Sequence, residues 1–132
     1  MTGNLALDTN AVIAYRADIP GAVGVIDSAD CLMLPLPVLG ELLFGAAASG
    51  RPEENRKAVL AFVETCTLLE PTLHTAEIYA STRAALKSQG TPIPENDVWI
   101  AALCLQWDLP LLTRDSHFQQ IENLAVVDLV FE

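Results

Sequence analysis

The chain has 132 residues, of which 52% are hydrophobic, and its 17 acidic and 7 basic side chains give a formal net charge of −10. This length suits one ordinary domain, 1–132, and this hydrophobic content excludes a disordered, collagen-like or rod-like chain. The acidic balance argues against nucleic-acid binding through a broad basic surface. It leaves room for an enzyme whose negative charge surrounds a cation.

Short apolar runs alternate with longer helical runs along the chain. Thr9 or Asn10 can cap the first helix, and the sequence Pro52-Glu53-Glu54 puts a proline and two carboxylates at the start of another. In chain order the predicted elements are strand 5–8, a helix from about residue 11, helix 20–27, strand 31–34, helices 38–48 and 52–63, strand 67–70, helices 72–88 and 95–107, strand 110–113, a short helix 116–121 and strand 125–127. This alternation indicates an α/β sandwich with a mainly parallel sheet, whose sites gather beyond the carboxyl ends of the strands.

The cysteines Cys31, Cys66 and Cys104 are odd in number and widely spaced, without the CxxC or Cys/His spacing of a zinc site. We therefore expect three reduced thiols in the core of a cytoplasmic protein. The N-terminus lacks the basic stretch and apolar run of a secretory signal, and the longest apolar runs are too short to cross a bilayer. No membrane association is expected.

Four carboxylates stand out by their apolar surroundings. Asp8 ends a predicted strand, Asp115 follows another, Asp97 opens an apolar helix, and Glu41 interrupts an apolar helical run. Taken singly, Asp97 and Asp115 can be helix caps and Asp8 can hold a turn, because carboxylates satisfy the free N–H groups at helix starts. Glu41 has no such explanation, since ionised carboxylates are rarely buried without a partner.

Taken together, the four acids indicate a metal site. In a parallel α/β layout they can converge on one edge of the sheet, where clustered carboxylates repel one another unless a cation joins them. A site made only of oxygen ligands, completed by water, suits Mg²⁺ or Mn²⁺. The simplest explanation of Asp8, Glu41, Asp97 and Asp115 is therefore a divalent-metal site.

The acids stand in segments 7–10, 41–45, 93–102 and 112–118, which read LDTN, ELLFG, IPENDVWIAA and LTRDSHF. In this order, and over nearly the whole chain, the segments resemble the signature segments of PIN domains, in particular those of VapC-type ribonuclease toxins from bacterial toxin–antitoxin pairs. The third and fourth segments are quite specific, whereas an Asp-Thr-Asn after a strand would be a weak signal by itself.

This resemblance implies a three-layer α/β/α sandwich with a five-stranded parallel sheet, and Mg²⁺- or Mn²⁺-dependent cleavage of RNA that leaves a 5′-phosphate and a 3′-hydroxyl. Asp8 and Asp97 would be the principal metal ligands. Glu41 and Asp115 would complete an acidic quartet that binds a second ion or orients the attacking water. All four acids are present, so the motif predicts an active endoribonuclease.

The resemblance also implies supporting residues and partners. Thr9, Asn10 and Thr113 match polar positions that support the carboxylates. The expected partners are an RNA substrate and a basic, VapB-like antitoxin that wraps the domain and plugs the acidic site, often with an arginine. Homodimers and toxin–antitoxin hetero-oligomers are implied as well.

A protein of charge −10 repels RNA at long range, so binding must use the metal and a few local cations. Arg16, after the first helix, and Arg114, beside Asp115, are the candidate RNA-binding residues by chain proximity. His117 is expected to be a helix-start residue next to a core Phe118 rather than a catalytic base.

Two other functions deserve comparison. A strand ending in Asp also begins phosphoaspartyl phosphatases and receiver domains, but these need a second acid near Asp8, where Asn10 stands, and a late lysine, whereas no lysine follows Lys87. A catalytically weak α/β binding module, whose acidic pocket docks a basic partner protein, remains the alternative to the nuclease.

Overall fold

A computed structural model of the chain describes residues 3–129. In this part of the chain, five strands alternate with six α-helices and one short 3₁₀ helix. The strands are β1 (Asn4–Leu7), β2 (Cys31–Pro35), β3 (Cys66–Leu69), β4 (Leu111–Thr113) and β5 (Val126–Asp128). The helices are α1 (Thr9–Arg16), α2 (Pro20–Ser28), α3 (Leu36–Ala47), α4 (Pro52–Val63), α5 (Leu73–Ser88), α6 (Glu95–Gln106) and the 3₁₀ helix Ser116–Gln120.

The five strands form one sheet in the order β3-β2-β1-β4-β5, and every pairing between neighbours is parallel. Connections between parallel strands are right-handed, so α1 to α4 cover one face of the sheet and α5, α6 and the 3₁₀ helix cover the other. The prediction of an α/β/α sandwich with a parallel five-stranded sheet is confirmed.

The central strands are apolar on both sides because helices cover both faces of the sheet. Leu5 and Leu7 of β1 and the consecutive residues Leu111 and Leu112 of β4 are completely buried. Burying each leucine contributes roughly 1.5–3 kcal/mol to folding. This core holds the carboxyl ends of β1 and β4 side by side, with Leu7 paired to Leu112.

Three local expectations need correction. The first strand ends at Leu7, and the cap of α1 is Asp8 rather than Thr9 or Asn10, because the Asp8 carboxylate accepts a hydrogen bond from the Thr9 backbone. Cys31 begins β2 at the surface, so of the three free thiols only Cys104 is fully buried.

Within the described residues, no helix is long and apolar enough to span a bilayer.

Candidate active site

The site lies where the strand order reverses. From β1 the chain continues to β2 and β3 on one side, and from β4 it continues to β5 on the other. Parallel α/β sheets bind ligands in the crevice between two such strands, here β1 and β4. Asp8 follows β1 directly and Asp115 comes two residues after the end of β4. The pairing of the two strands brings these acids to the same edge of the sheet.

The Asp8 carboxylate accepts hydrogen bonds from three donors, two in α1 and one in β4. Its Oδ1 atom accepts from the Thr9 backbone at 2.8 Å, and its Oδ2 atom accepts from the Thr113 hydroxyl at 2.7 Å and from the Asn10 amide at 3.2 Å. The Asn10 carbonyl oxygen in turn accepts from the backbone N–H of Arg114 at 3.2 Å. Asn10 and Thr113 therefore lock the orientation of Asp8 relative to β4.

Asp8 is buried, with 5% of its surface exposed. This burial is the main reason that its pKa rises from 3.8 to about 6. Hydrogen bonds from Thr113 and Thr9 oppose the rise in pKa, whereas the negative charges of Asp97 and Glu41 add to it. Ionising Asp8 in the folded chain therefore costs electrostatic free energy. A bound cation would offset this cost.

Glu41 reaches the same region from α3. One carboxylate oxygen accepts a hydrogen bond from the Thr9 hydroxyl at 2.8 Å, and the other accepts from the side-chain amide of Asn96. Thr9 thereby connects the first two acids, since its backbone N–H donates to Asp8 and its hydroxyl donates to Glu41. The apolar surroundings that made Glu41 conspicuous in the sequence contain two polar partners after all.

The carboxylates of Asp97 and Asp115 both lie beside the imidazole ring of His117. The His117 Nδ1 atom lies 3.1 Å from Asp97 Oδ2 and 3.0 Å from Asp115 Oδ1. Asp115 also caps the 3₁₀ helix, because its Oδ1 atom accepts from the His117 backbone N–H at 3.0 Å. Asp115 is therefore a helix cap, as the sequence suggested. Its carboxylate also shares His117 Nδ1 as a neighbour with the carboxylate of Asp97.

Burial is the main cause that raises the pKa of Asp97 above its usual value. The hydrogen bond to His117 lowers this pKa, and the negative charges of Asp115 and Glu41 raise it. Asp97 thus interacts electrostatically with the other acids, and Asp8 interacts with both Asp97 and Glu41. The structure brings all four predicted acids into one electrostatically coupled group.

The donor set suits a hard dication such as Mg²⁺ or Mn²⁺, which takes carboxylate oxygens and water. A carboxylate offers about four lone pairs, two on each oxygen. Asp8 uses three of them for its hydrogen bonds and keeps one on Oδ1. Within residues 3–129, Asp97 Oδ1 and Asp115 Oδ2 accept no hydrogen bond, so both atoms can turn to a metal.

The two arginines proposed for RNA binding lie on either side of Ile13. Arg16, exposed in the last turn of α1, lines a cavity of about 280 Å³ that reaches Thr9. Arg114 lines a second cavity of about 220 Å³ that reaches Asn10. Ile13 is 58% exposed and borders both cavities. Each arginine is therefore near a residue that contacts a site carboxylate.

Sequence reasoning missed two side chains of the site. Asn96 stands next to Asp97 in the signature segment, but only the packing of α3 near α6 shows that its amide donates to Glu41. His117 lies next to the fully buried Phe118, as expected, yet its ring faces Asp97. A histidine two residues after Asp115 was the only signal available for this contact.

Comparisons with known proteins identify the family and the fold. The family described as PIN domain matches residues 5–124. The chain is 31% identical to Ribonuclease VapC1 of Haemophilus influenzae (strain R2866) over 127 residues, which cover 92% of this chain and 95% of that protein.

Two solved structures share the fold. VapBC-1 from nontypeable Haemophilus influenzae aligns with a TM-score of 0.84 and 30% identity over 98% of each chain. VapBC-5 from Mycobacterium tuberculosis, a member of the VapBC family of toxin-antitoxin systems, aligns with a TM-score of 0.74 and 26% identity over 96% of this chain and 97% of that one.

Proposed function

Because this chain belongs to the PIN domain family and has VapC ribonucleases among its relatives, we propose that it is a metal-dependent endoribonuclease and the toxin of a toxin–antitoxin pair. We further propose that residues 1–132 act as one nuclease domain. The observation that carries the proposal is the coupled group of Asp8, Glu41, Asp97 and Asp115 at the switch point of the sheet.

The reaction that this group supports is hydrolysis of an RNA phosphodiester. A bound Mg²⁺ or Mn²⁺ ion would supply Lewis acidity and charge neutralisation for the phosphate. Asp8 and Asp97 would hold that ion, while Asp115 or Glu41 accepts a proton from the attacking water. The water oxygen bonds to phosphorus as the bond from phosphorus to the 3′-oxygen breaks. The 3′-oxygen takes a proton from solvent water, so the products are a 5′-phosphate and a 3′-hydroxyl.

Thr9, Asn10 and Thr113 act as positioning residues in this proposal. Their hydrogen bonds keep Asp8 and Glu41 in fixed orientations, so that little reorganisation is needed when the dication and RNA bind. Arg16 and Arg114 supply local positive charge for the RNA backbone, which a chain of net charge −10 otherwise repels.

The partners follow from the VapBC relatives and from charge. A basic antitoxin segment would be attracted to the acidic site, because complementary charge speeds association and selects partners. We propose such an antitoxin, together with homodimers and toxin–antitoxin hetero-oligomers. We also propose a cytoplasmic location, where a nuclease of this kind would meet RNA.

The test is RNA cleavage by the purified protein with Mg²⁺ or Mn²⁺ and with EDTA. We expect cleavage only with a dication, products that carry a 5′-phosphate, and a loss of at least about 100-fold in Asp8→Asn and Asp97→Asn. Glu77→Gln, which removes a charge from the exposed side of α5, is the matched control and keeps full activity.

Equal residual activity in the wild type, Asp8→Asn and Asp97→Asn would indicate a contaminating nuclease. That result, together with tight binding of a basic partner, would favour the alternative of a binding module without catalysis.

A further inference from the structure

His117 occupies a position between two acids that come from different parts of the chain. Asp97 belongs to the first turn of α6, whereas Asp115 follows β4. One ligand atom from each of the three residues lies within 4.8 Å of the other two. The imidazole nitrogen therefore faces the same small volume as the two carboxylates.

The backbone around His117 is well anchored, which fixes where the ring can go. The backbone N–H of His117 donates to Asp115, and the neighbouring Phe118 is completely buried. The side chain of His117 is 46% exposed, and within residues 3–129 its Nε2 atom makes no hydrogen bond. Without a metal, Nδ1 donates to Asp97. A bound dication would shift that proton to the exposed Nε2 and leave the Nδ1 lone pair directed at the volume between Asp97 and Asp115.

We infer that His117 Nδ1 is a ligand of the active-site dication, beside the carboxylates of Asp97 and Asp115. This inference rests on the proposed function and adds the class of ion that the site prefers. Neighbouring ligands of an octahedral ion at about 2.1 Å are about 3.0 Å apart. The separations of 3.1 Å from Nδ1 to Asp97 Oδ2 and 3.0 Å from Nδ1 to Asp115 Oδ1 match this value, and each of these oxygens has a second lone pair for a metal besides the one in its hydrogen bond.

A nitrogen ligand changes which ions the site favours. Mg²⁺ prefers oxygen ligands and gives up its water reluctantly, whereas imidazole suits first-row transition metals. A site with one imidazole among carboxylates therefore favours a transition-metal ion such as Mn²⁺ over Mg²⁺. His117 would supply this preference, and a purely carboxylate site would lack it.

The experiment measures metal binding directly, without RNA. Mn²⁺ and Mg²⁺ are titrated by calorimetry into the wild type, His117→Ala and His117→Gln, and Mn²⁺-loaded protein is examined by electron spin echo envelope modulation for coupling to imidazole nitrogen. His74→Ala is the matched control, because His74 also lies beside a carboxylate, 3.9 Å from Glu77, but on α5 away from the site.

We expect nitrogen coupling in the wild type and in His74→Ala, and none in His117→Ala. Loss of the ligand should weaken Mn²⁺ binding about 10- to 100-fold and Mg²⁺ binding less than about threefold. If His117→Ala does not fold, the spectrum of the wild type and the His117→Gln titration decide.

Two results would overturn the inference alone. One is the absence of nitrogen coupling in a wild type that binds Mn²⁺ and cleaves RNA, and the other is an equal loss of Mn²⁺ and Mg²⁺ affinity in His117→Ala. His117 would then be a hydrogen-bond donor to the two acids, and the proposed nuclease would stand. A wild type that binds neither ion would overturn the proposed function as well.

Discussion

Replacing Asp8 with asparagine removes a buried negative charge but keeps the shape of the side chain. Asparagine is as good a helix cap as aspartate, so α1 retains its start. Some hydrogen bonds change, because an amide offers one acceptor oxygen where the carboxylate offers two, but this cost does not vary with pH. The pH dependence of the difference between the two proteins therefore isolates the ionisation of Asp8.

The sign and size of that difference follow from the pKa of Asp8. A pKa that rises from 3.8 in the unfolded chain to about 6 in the fold means that the folded protein holds this proton more tightly. The stabilisation of the fold by this tighter proton binding is complete below pH 3.8 and is lost as the pH rises through about 6. The total loss is ~3 kcal/mol, at about 1.4 kcal/mol for each pKa unit.

The assay is urea unfolding of both proteins in EDTA at several pH values. About half of the loss, ~1.5 kcal/mol, falls between pH 5 and pH 7.5, so the series can stay above the isoelectric point of about 4.4. Over this range the wild type should lose ~1.5 kcal/mol of unfolding free energy relative to Asp8→Asn. At pH 7.5, Mn²⁺ at 100 times its Kd should raise the unfolding free energy of the wild type by about 2.7 kcal/mol and that of the variant by much less.

A difference in unfolding free energy that stays constant within about 0.5 kcal/mol from pH 5 to pH 7.5 would refute the reasoning. Asp8 would then ionise in the fold as it does in the unfolded chain, and its burial would carry no electrostatic cost.

Three further predictions concern a positioning residue, the core and the RNA interface. Thr113→Val removes a hydrogen bond that lowers the pKa of Asp8, so the acidic limb of the pH–rate profile should move up by about one pH unit, whereas Thr113→Ser should leave it in place. Phe118→Ala should lower the unfolding free energy by about 3–5 kcal/mol in urea denaturation, because Phe118 is completely buried, whereas Phe44→Ala, at a position 74% exposed, should change it by less than about 0.5 kcal/mol. Arg114→Ala should raise KM for RNA several-fold and reduce the salt slope of binding by about one, as expected for one lost phosphate contact.

Each of these has a clear contrary result. An unchanged acidic limb in Thr113→Val would mean that Asp8 does not control the rate. Equal destabilisation by the two phenylalanine variants would contradict the packing around the 3₁₀ helix. A salt slope that is the same with and without Arg114 would remove this arginine from the RNA interface.

The positions of Asp8 and Asp115 were predictable because each follows a strand, and a parallel sheet gathers the ends of its strands at one edge. The partners of the other acids were not. Asn96 donates to Glu41 across 55 residues of sequence, and Thr9 donates to Glu41 across 32. Such contacts depend on how α1, α3 and α6 pack together, and no local pattern specifies that packing.

His117 also shows that a long-range contact could not be predicted from the sequence. Its place beside Phe118 is a local property of the 3₁₀ helix, and the sequence was sufficient to predict it. Its contact with Asp97 joins residues 20 apart and depends on the packing of α6 against the 3₁₀ helix. A residue that looked structural from its neighbours therefore stands among the candidate metal ligands.

The amino-acid sequence by itself determined the alternation of strands and helices, the parallel sheet and the four candidate acids, because hydrophobic periodicity and carboxylates in apolar surroundings are local signals. The tertiary structure alone decided which side chains orient those acids and how much each is buried. Orientation and burial arise from contacts between elements distant in the chain, and they set the pKa of Asp8 and the place of His117 at the site.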